Sequence, residues 1–306
     1  MKIIRREDSN LISKLDPKTP PIARVKEGEV FMVETAHHLY LWKKELTPED
    51  APSLHSATDD IANPLTGPIY VEGAESGDAL VVKLLDIVCD KKGDATTTPG
   101  SGLLRTRLHE PRIQIVENDG RRLNIGDGVF VMMRPVVGCI ATTPQEPILT
   151  LMPGPHGGNM DDPNSTVGSR IYLPVYVSGA KFALGDVHAA QADGEGICGV
   201  DISATVTLKV EEILKGVYLP EALVETHDKW IINKEGESPR EALEKACLAM
   251  TEFLKARLGL PEEKIGVLLS SVGGFHISQS GFYGYPVVFR AEIPKSIDTK
   301  GRLLTY

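Results

Sequence analysis

Apolar residues in this chain recur mainly at every second position. Val206, Leu208 and Val210 alternate with polar neighbours, which is the period of a half-buried strand. Further strands are expected over residues 29–35, 68–74, 79–87, 112–117, 129–133, 138–141 and 170–177, with a buried-looking run at 265–270 and a last strand at 285–293. The 29 glycines and 21 prolines supply the turns that many short strands need. One segment breaks the pattern. Ser238-Pro239-Arg240-Glu241 forms a capping box with proline at the first helical position. Ala242, Ala246, Ala249, Phe253 and Leu254 follow at helical spacing, and Gly259 supplies the stop. The reading is a strand-rich, mainly β chain with one well-marked helix near 239–258. Regular helices do not separate the strands, so a doubly wound parallel sheet is not expected.

A single domain over 1–306 is expected, with a mobile loop at 91–102, where Lys91-Lys92-Gly93-Asp94 leads into a polar, Thr-, Pro- and Gly-rich run. Residues 43–66 are also polar, and Thr47-Pro48-Glu49-Asp50 would cap a short helix there. The formal charge of −9 argues against a general nucleic-acid or anionic-membrane binder. No apolar run reaches the ~18 residues of a membrane span. The first residues lack a signal-peptide core, and the four cysteines form no CxxC, so reduced thiols and a cytoplasmic location are expected.

Several short motifs carry no chemistry here. Gly194-Glu195-Gly196-Ile197-Cys198-Gly199 spells a dinucleotide fingerprint, but β-rich sequence follows it where a helix would have to open. Ser178-Gly179-Ala180-Lys181 spells SxxK, yet it lies between strands and contains a glycine. Ser270-Ser271 lacks the lysine and glycine-serine run of a serine amidase, and Cys247 sits on the apolar face of the helix.

Polar residues concentrate in two irregular stretches, 153–162 and 184–195. Each combines histidine, aspartate and glycine, which is what a mixed nitrogen and oxygen metal site requires. In extended backbone Asp186 and His188 point to the same side. Glu34-Thr35-Ala36-His37-His38, at the end of a strand, is a third such cluster. Each cluster also has a plainer reading, as polar groups that stabilise turns.

The run Pro153-Gly154-Pro155-His156-Gly157-Gly158-Asn159-Met160-Asp161 resembles the PGPHGGNMD block of the acetamidase/formamidase family. Residues 63–74, 173–177, 184–189 and 193–195, Glu34-Thr35 and, more loosely, 99–104 are similar to other blocks of that family. The resemblance spans roughly 25–295. It implies a mainly β fold, a β-sandwich-like core with added α elements, and a metal-dependent hydrolase that releases ammonia and a carboxylate from small linear amides, in a homo-oligomer. Three departures stand out: His37 where the family has aspartate, Ala192 where it has glycine, and Gly274 and His276 where it has aspartate and arginine. Histidine at position 37 would shift metal preference from calcium toward zinc.

On this reading His37, Asp186 and His188 hold a divalent metal, zinc and/or calcium. His156, Glu34 and Asn159 are further ligand candidates. Glu195 shuttles the proton, Asp193 is second choice, and Asn159 alternatively donates to the oxyanion. Two other readings stay open: hydrolysis of a larger or cyclic amide such as a lactam, and a non-catalytic metal-stabilised β protein.

Overall fold

In the strand Ala79–Cys89 the side chains of Leu80, Val82 and Leu84 enter one apolar core, while Ala79 and Val81 enter another. A two-residue period on a sheet covered on both faces gives this division. The computed structural model describes residues 1–280, 284–304 and 306. The strand Ala79–Cys89 lies inside a nine-stranded sheet, between Ala204–Leu214 and Arg170–Pro174. Beyond Arg170–Pro174 the sheet continues through Leu223–Glu225, Lys229–Gly236, Val287–Pro294 and Gly274–Gln279. Its other side carries Val30–Thr35 and then Lys2–Ile4.

A six-stranded sheet faces it, with the central order Val136–Ala141, Phe182–His188, Leu65–Glu72. Phe31, Leu84, Ile171 and Leu208 from the larger sheet share one core with Ile69, Ile140, Phe182 and Leu184 from the smaller. The core is therefore a β-sandwich. A third, four-stranded antiparallel sheet runs Val129–Met132, Arg122–Gly126, Arg112–Asn118, Lys92–Thr97.

The outer face of the nine-stranded sheet is covered by helix α1, Pro239–Leu258. Ser238 Oγ accepts from Glu241 N–H at 3.3 Å, and Gly259 ends the helix in the left-handed region at φ 65°. Ala246, Met250 and Leu254 recur every four residues and pack on Trp230, Ile232, Ala291 and Ile293. Among the described residues no helix is long and apolar enough to cross a membrane.

Three sequence expectations change. Residues 265–270 lie not in a strand but in helix α2, Glu262–Val272. Pro261 precedes it, two glutamates fill its first turn, and only Ile265 and Leu269, four apart, are buried. A short apolar run does not by itself separate helix from strand. The expected loop at 91–102 contains the strand Lys92–Thr97, paired along Arg112–Asn118. The irregular reading of 184–195 fails in its first part: Phe182–His188 is a strand buried at every position, so no alternation marks it. The short helix after Thr47 is a 3-10 segment, Pro48–Ser56, with Thr47 N–H donating to Asp50 Oδ2 at 2.8 Å.

Asp78 closes the turn that feeds the central strand. Its carboxylate accepts from Glu75 N–H at 2.8 Å, Gly216 N–H at 2.8 Å and Lys215 Nζ at 2.6 Å. Burial would raise its pKa, but Lys215 and the two N–H groups hold it below the ordinary carboxylate value. Asp78→Ala is expected to cost about 2–3 kcal/mol of stability at pH 7. A depressed folded pKa contributes stability above the unfolded carboxylate value and loses it as pH falls through the folded one. The gap between wild type and variant in denaturant unfolding should therefore close as pH drops below about 4.

Candidate active site

Strand pairing carries the chemistry to one place. Phe182–His188 brings Asp186 and His188 beside Val136–Ala141, whose other neighbour, Gly157–Asn159, carries Asn159. Asp94, on Lys92–Thr97, exchanges both backbone hydrogen bonds with Asp201 at 2.9 Å each. Asp201 is also bridged to His188. His38 follows the end of Val30–Thr35. Asn63, Asn159, Asp161, Asp186, His188, Glu195, Asp201 and His38 line a cavity of about 280 Å³.

Distances within the cluster are short. His188 Nε2 lies 3.2 Å from Asp201 Oδ1, 3.7 Å from Glu195 Oε1 and 4.0 Å from Asp186 Oδ1, while its Nδ1 is 3.8 Å from Asp161 Oδ1. His38 Nδ1 is 3.4 Å from Asp201 Oδ2 and 3.8 Å from Asp94 Oδ2. Asn63 Nδ2 donates to Asp186 Oδ2 at 2.8 Å. Cys139 Sγ, at 2.9 Å, and Asn63 Nδ2, at 3.4 Å, both donate to Asn159 Oδ1.

The backbone is bent to achieve this. Asn63, Asp161, Asp186 and Glu195 all have positive φ, between 36° and 54°. Such conformations cost about 1–3 kcal/mol each for non-glycine residues and gather at functional sites. Glycine supplies the remaining room. A Cβ on Gly138 would meet Asp161 Oδ1 at 2.4 Å, and one on Gly199 would meet the His188 ring at 2.5 Å.

Five buried carboxylates, Asp94, Asp161, Asp186, Glu195 and Asp201, share this space with two imidazoles, His38 and His188. Burial pushes Glu195 up to about 7 and Asp186 and Asp94 up to about 6, with His188 and His38 partly opposing. Burial and the neighbouring Glu195 and Asp186 drive Asp161 well above its ordinary value. Burial alone would lower His188, yet Asp201, Asp186 and Glu195 raise it well above the histidine range. The excess of acid over base among these buried groups calls for a cation. Buried atoms without a hydrogen-bond partner among the described residues include Asp161 Oδ1, Glu195 Oε2 and Nδ1 of both His38 and His188. Ligand atoms of Asp161, Asp186 and His188 lie within 4.8 Å of one another, as do those of His37, His38 and Asp94. Mixed imidazole and carboxylate donors of this kind fit a divalent ion.

Of the residues expected from sequence, Asn159, Asp186, His188 and Glu195 come together on the cavity. His37 is adjacent, with Nδ1 3.9 Å from Asp94 Oδ1 and Nε2 3.2 Å from the Lys44 carbonyl; burial and His38 lower its pKa to about 4. The other three lie elsewhere. His156 is buried within the glycine turn against Gly154 and Gly158, with Nε2 unpartnered, and burial lowers it to about 4. Glu34 holds Arg5 Nη1 at 2.5 Å and Arg6 N–H at 3.2 Å. Asp193 does not line the cavity and pairs with Arg290 Nη2 at 2.8 Å and His276 Nδ1 at 3.4 Å. His38, Asn63, Asp94, Asp161 and Asp201 line or adjoin the site without being assigned from the sequence. Asp161 and Asn63 stood inside the quoted blocks, and His38 beside His37. Asp94 and Asp201 carried no local signal.

Residues 2–152 and 145–297 match the Acetamidase/Formamidase family, and the chain belongs to it. An acetamidase crystal structure from Bacillus halodurans is 36% identical and superposes with a TM-score of 0.88, over 94% of this chain and 96% of that one. A formamidase from Methylophilus methylotrophus is 28% identical, over 89% of this chain and 86% of its own length. An acetamidase from Mycolicibacterium smegmatis is 27% identical, over 78% of this chain and 80% of its own.

Proposed function

We propose that this chain hydrolyses small linear amides to a carboxylate and ammonia, with a divalent ion bound in the carboxylate and imidazole cluster. The observation that carries the reading is that cluster on the wall of a cavity, in a chain of the acetamidase/formamidase family. Asp161, Asp186 and His188 would hold the ion, with His38, Asp94 and Asp201 as a second donor set beside them. An ion of this kind supplies polarisation of the carbonyl and a lowered pKa for water.

The remaining work falls to the protein. Gly199 N–H donates to Glu195 Oε1 at 3.2 Å, leaving Oε2 without a partner. Glu195 is thereby oriented to take the proton of the attacking water and return it to the departing nitrogen. Asn159 has its oxygen engaged by Cys139 and Asn63, which leaves its amide N–H as the donor for the developing oxyanion. Asn63 fixes the Asp186 carboxylate. Ammonia release from acetamide and formamide tests the reading. Measurable turnover supports it, and no turnover by the metal-loaded protein would sink it.

The homo-oligomer expectation is also kept as a proposal. Val129–Met132 is the outer strand of its sheet, and all four of its residues are exposed. An unpaired apolar edge without charges invites another strand. Antiparallel pairing with a second copy, centred between Phe130 and Val131, would set Val129 opposite the copy's Met132 at both ends, as a two-fold interface requires. Light scattering should give a multiple of 33.2 kDa for the wild type and the monomer for Val131→Lys. A monomeric wild type at micromolar concentration would refute it.

A further inference from the structure

The cavity is lined by two unlike kinds of side chain. Besides the carboxylates and imidazoles of the site, Leu39, Leu54, Ala57, Ala62, Leu151 and Ile197 line it, with His55 and Asp59 among the residues of the 54–62 segment. Leu39 and Leu54 belong to a small apolar cluster with Ala51 and Ile113, against which Trp42, Leu46, Ala57 and Ala62 pack. This apolar wall is thus backed by a core of its own.

Size and charge then constrain what fills it. At roughly 30 Å³ for each water-sized group, the four non-hydrogen atoms of acetamide take less than half of the 280 Å³. Eight such atoms, as in hexanamide, nearly fill it. Among the described lining residues there is no lysine or arginine, whereas Asp59, Asp161, Asp186, Glu195 and Asp201 are acidic. A carboxylate at the far end of a substrate's chain would find no lysine or arginine to receive it, only apolar surface beside it.

We propose that the preferred substrate is an uncharged primary amide with an apolar acyl chain of about four to six carbons, its amide group at the polar floor and its tail along the Leu39–Leu54 wall. The proposal rests on the amidase reading above and narrows it. The reaction is unchanged: the C–N bond breaks, water oxygen joins the acyl carbon, and ammonia leaves. Each methylene moved from water onto the wall is worth about fourfold in binding.

The test measures kcat/KM by ammonia release for acetamide, butyramide, hexanamide and succinamate, the last being a four-carbon amide with a terminal carboxylate. The expected series rises at least tenfold from acetamide to butyramide, stays high for hexanamide, and places succinamate below acetamide. Ala57→Leu, which puts three further carbons on the wall, should lower the hexanamide-to-acetamide ratio at least tenfold. A series that is flat or falls from acetamide onward overturns the inference and leaves the amidase reading standing, as does succinamate matching butyramide. Ammonia from none of the four overturns both. The wild-type series decides the matter even if the variant does not fold.

Discussion

Glu195→Gln is expected to lower kcat for amide hydrolysis by about 10²–10⁴ while leaving the fold and the metal content in place. Glutamine keeps the shape of the side chain and still accepts from Gly199 N–H. It cannot take a proton from water, and general acid–base catalysis is worth a factor of this size. The same substitution removes one of five carboxylates from a crowded, buried cluster, so thermal stability should hold or rise. The readout is therefore divided: kcat falls, KM changes little and metal stoichiometry stays at the wild-type value. If kcat stays within tenfold, the proton shuttle lies elsewhere. If metal content falls together with kcat, Glu195 is a ligand rather than a base.

His188→Ala should act through the opposite channel. His188 lies within 4.0 Å of Asp161, Asp186, Glu195 and Asp201, so it is the geometric centre of the acidic cluster. Its loss removes a nitrogen donor to the ion that offsets these carboxylates. Metal affinity should fall at least tenfold, about 1.4 kcal/mol or more, and turnover should fall further. A residue with a purely structural role would instead lower the melting temperature with metal content and rate nearly unchanged. Metal analysis and ammonia release on the purified variant separate the two outcomes.

What the sequence revealed of this site follows the range of the interactions that build it. The two glycine-rich stretches were legible because turns write their requirements locally: Asn159, Asp186, His188 and Glu195 all came from them. Asp94 and Asp201 meet through backbone pairing between distant segments, and nothing near either residue announces the other. The family's pattern points to His37 rather than His38. The strand ends at Thr35, so alternation no longer decides which of the two rings turns inward. His156 and Asp193 were drawn in by their loops. Glycine packing holds the first within its turn, and Arg290, only 3% exposed, draws the second away. The fold was read with the same asymmetry. Half-buried strands such as Ala204–Leu214 show their period, whereas Phe182–His188, buried on both faces, shows none. Helix α1 was marked by its caps; helix α2 begins after a proline with no side-chain cap.

Metal dependence of the amidase activity is the central claim, and one titration tests it most directly. Protein depleted of metal by chelation is assayed for ammonia release from acetamide and butyramide, then reassayed after zinc, calcium and manganese are restored one at a time. The expected result is loss of at least 99% of the activity on depletion, with recovery by at least one ion at a fixed stoichiometry per chain. Undiminished hydrolysis by protein shown to be metal-free would contradict the assignment of Asp161, Asp186 and His188 as ligands.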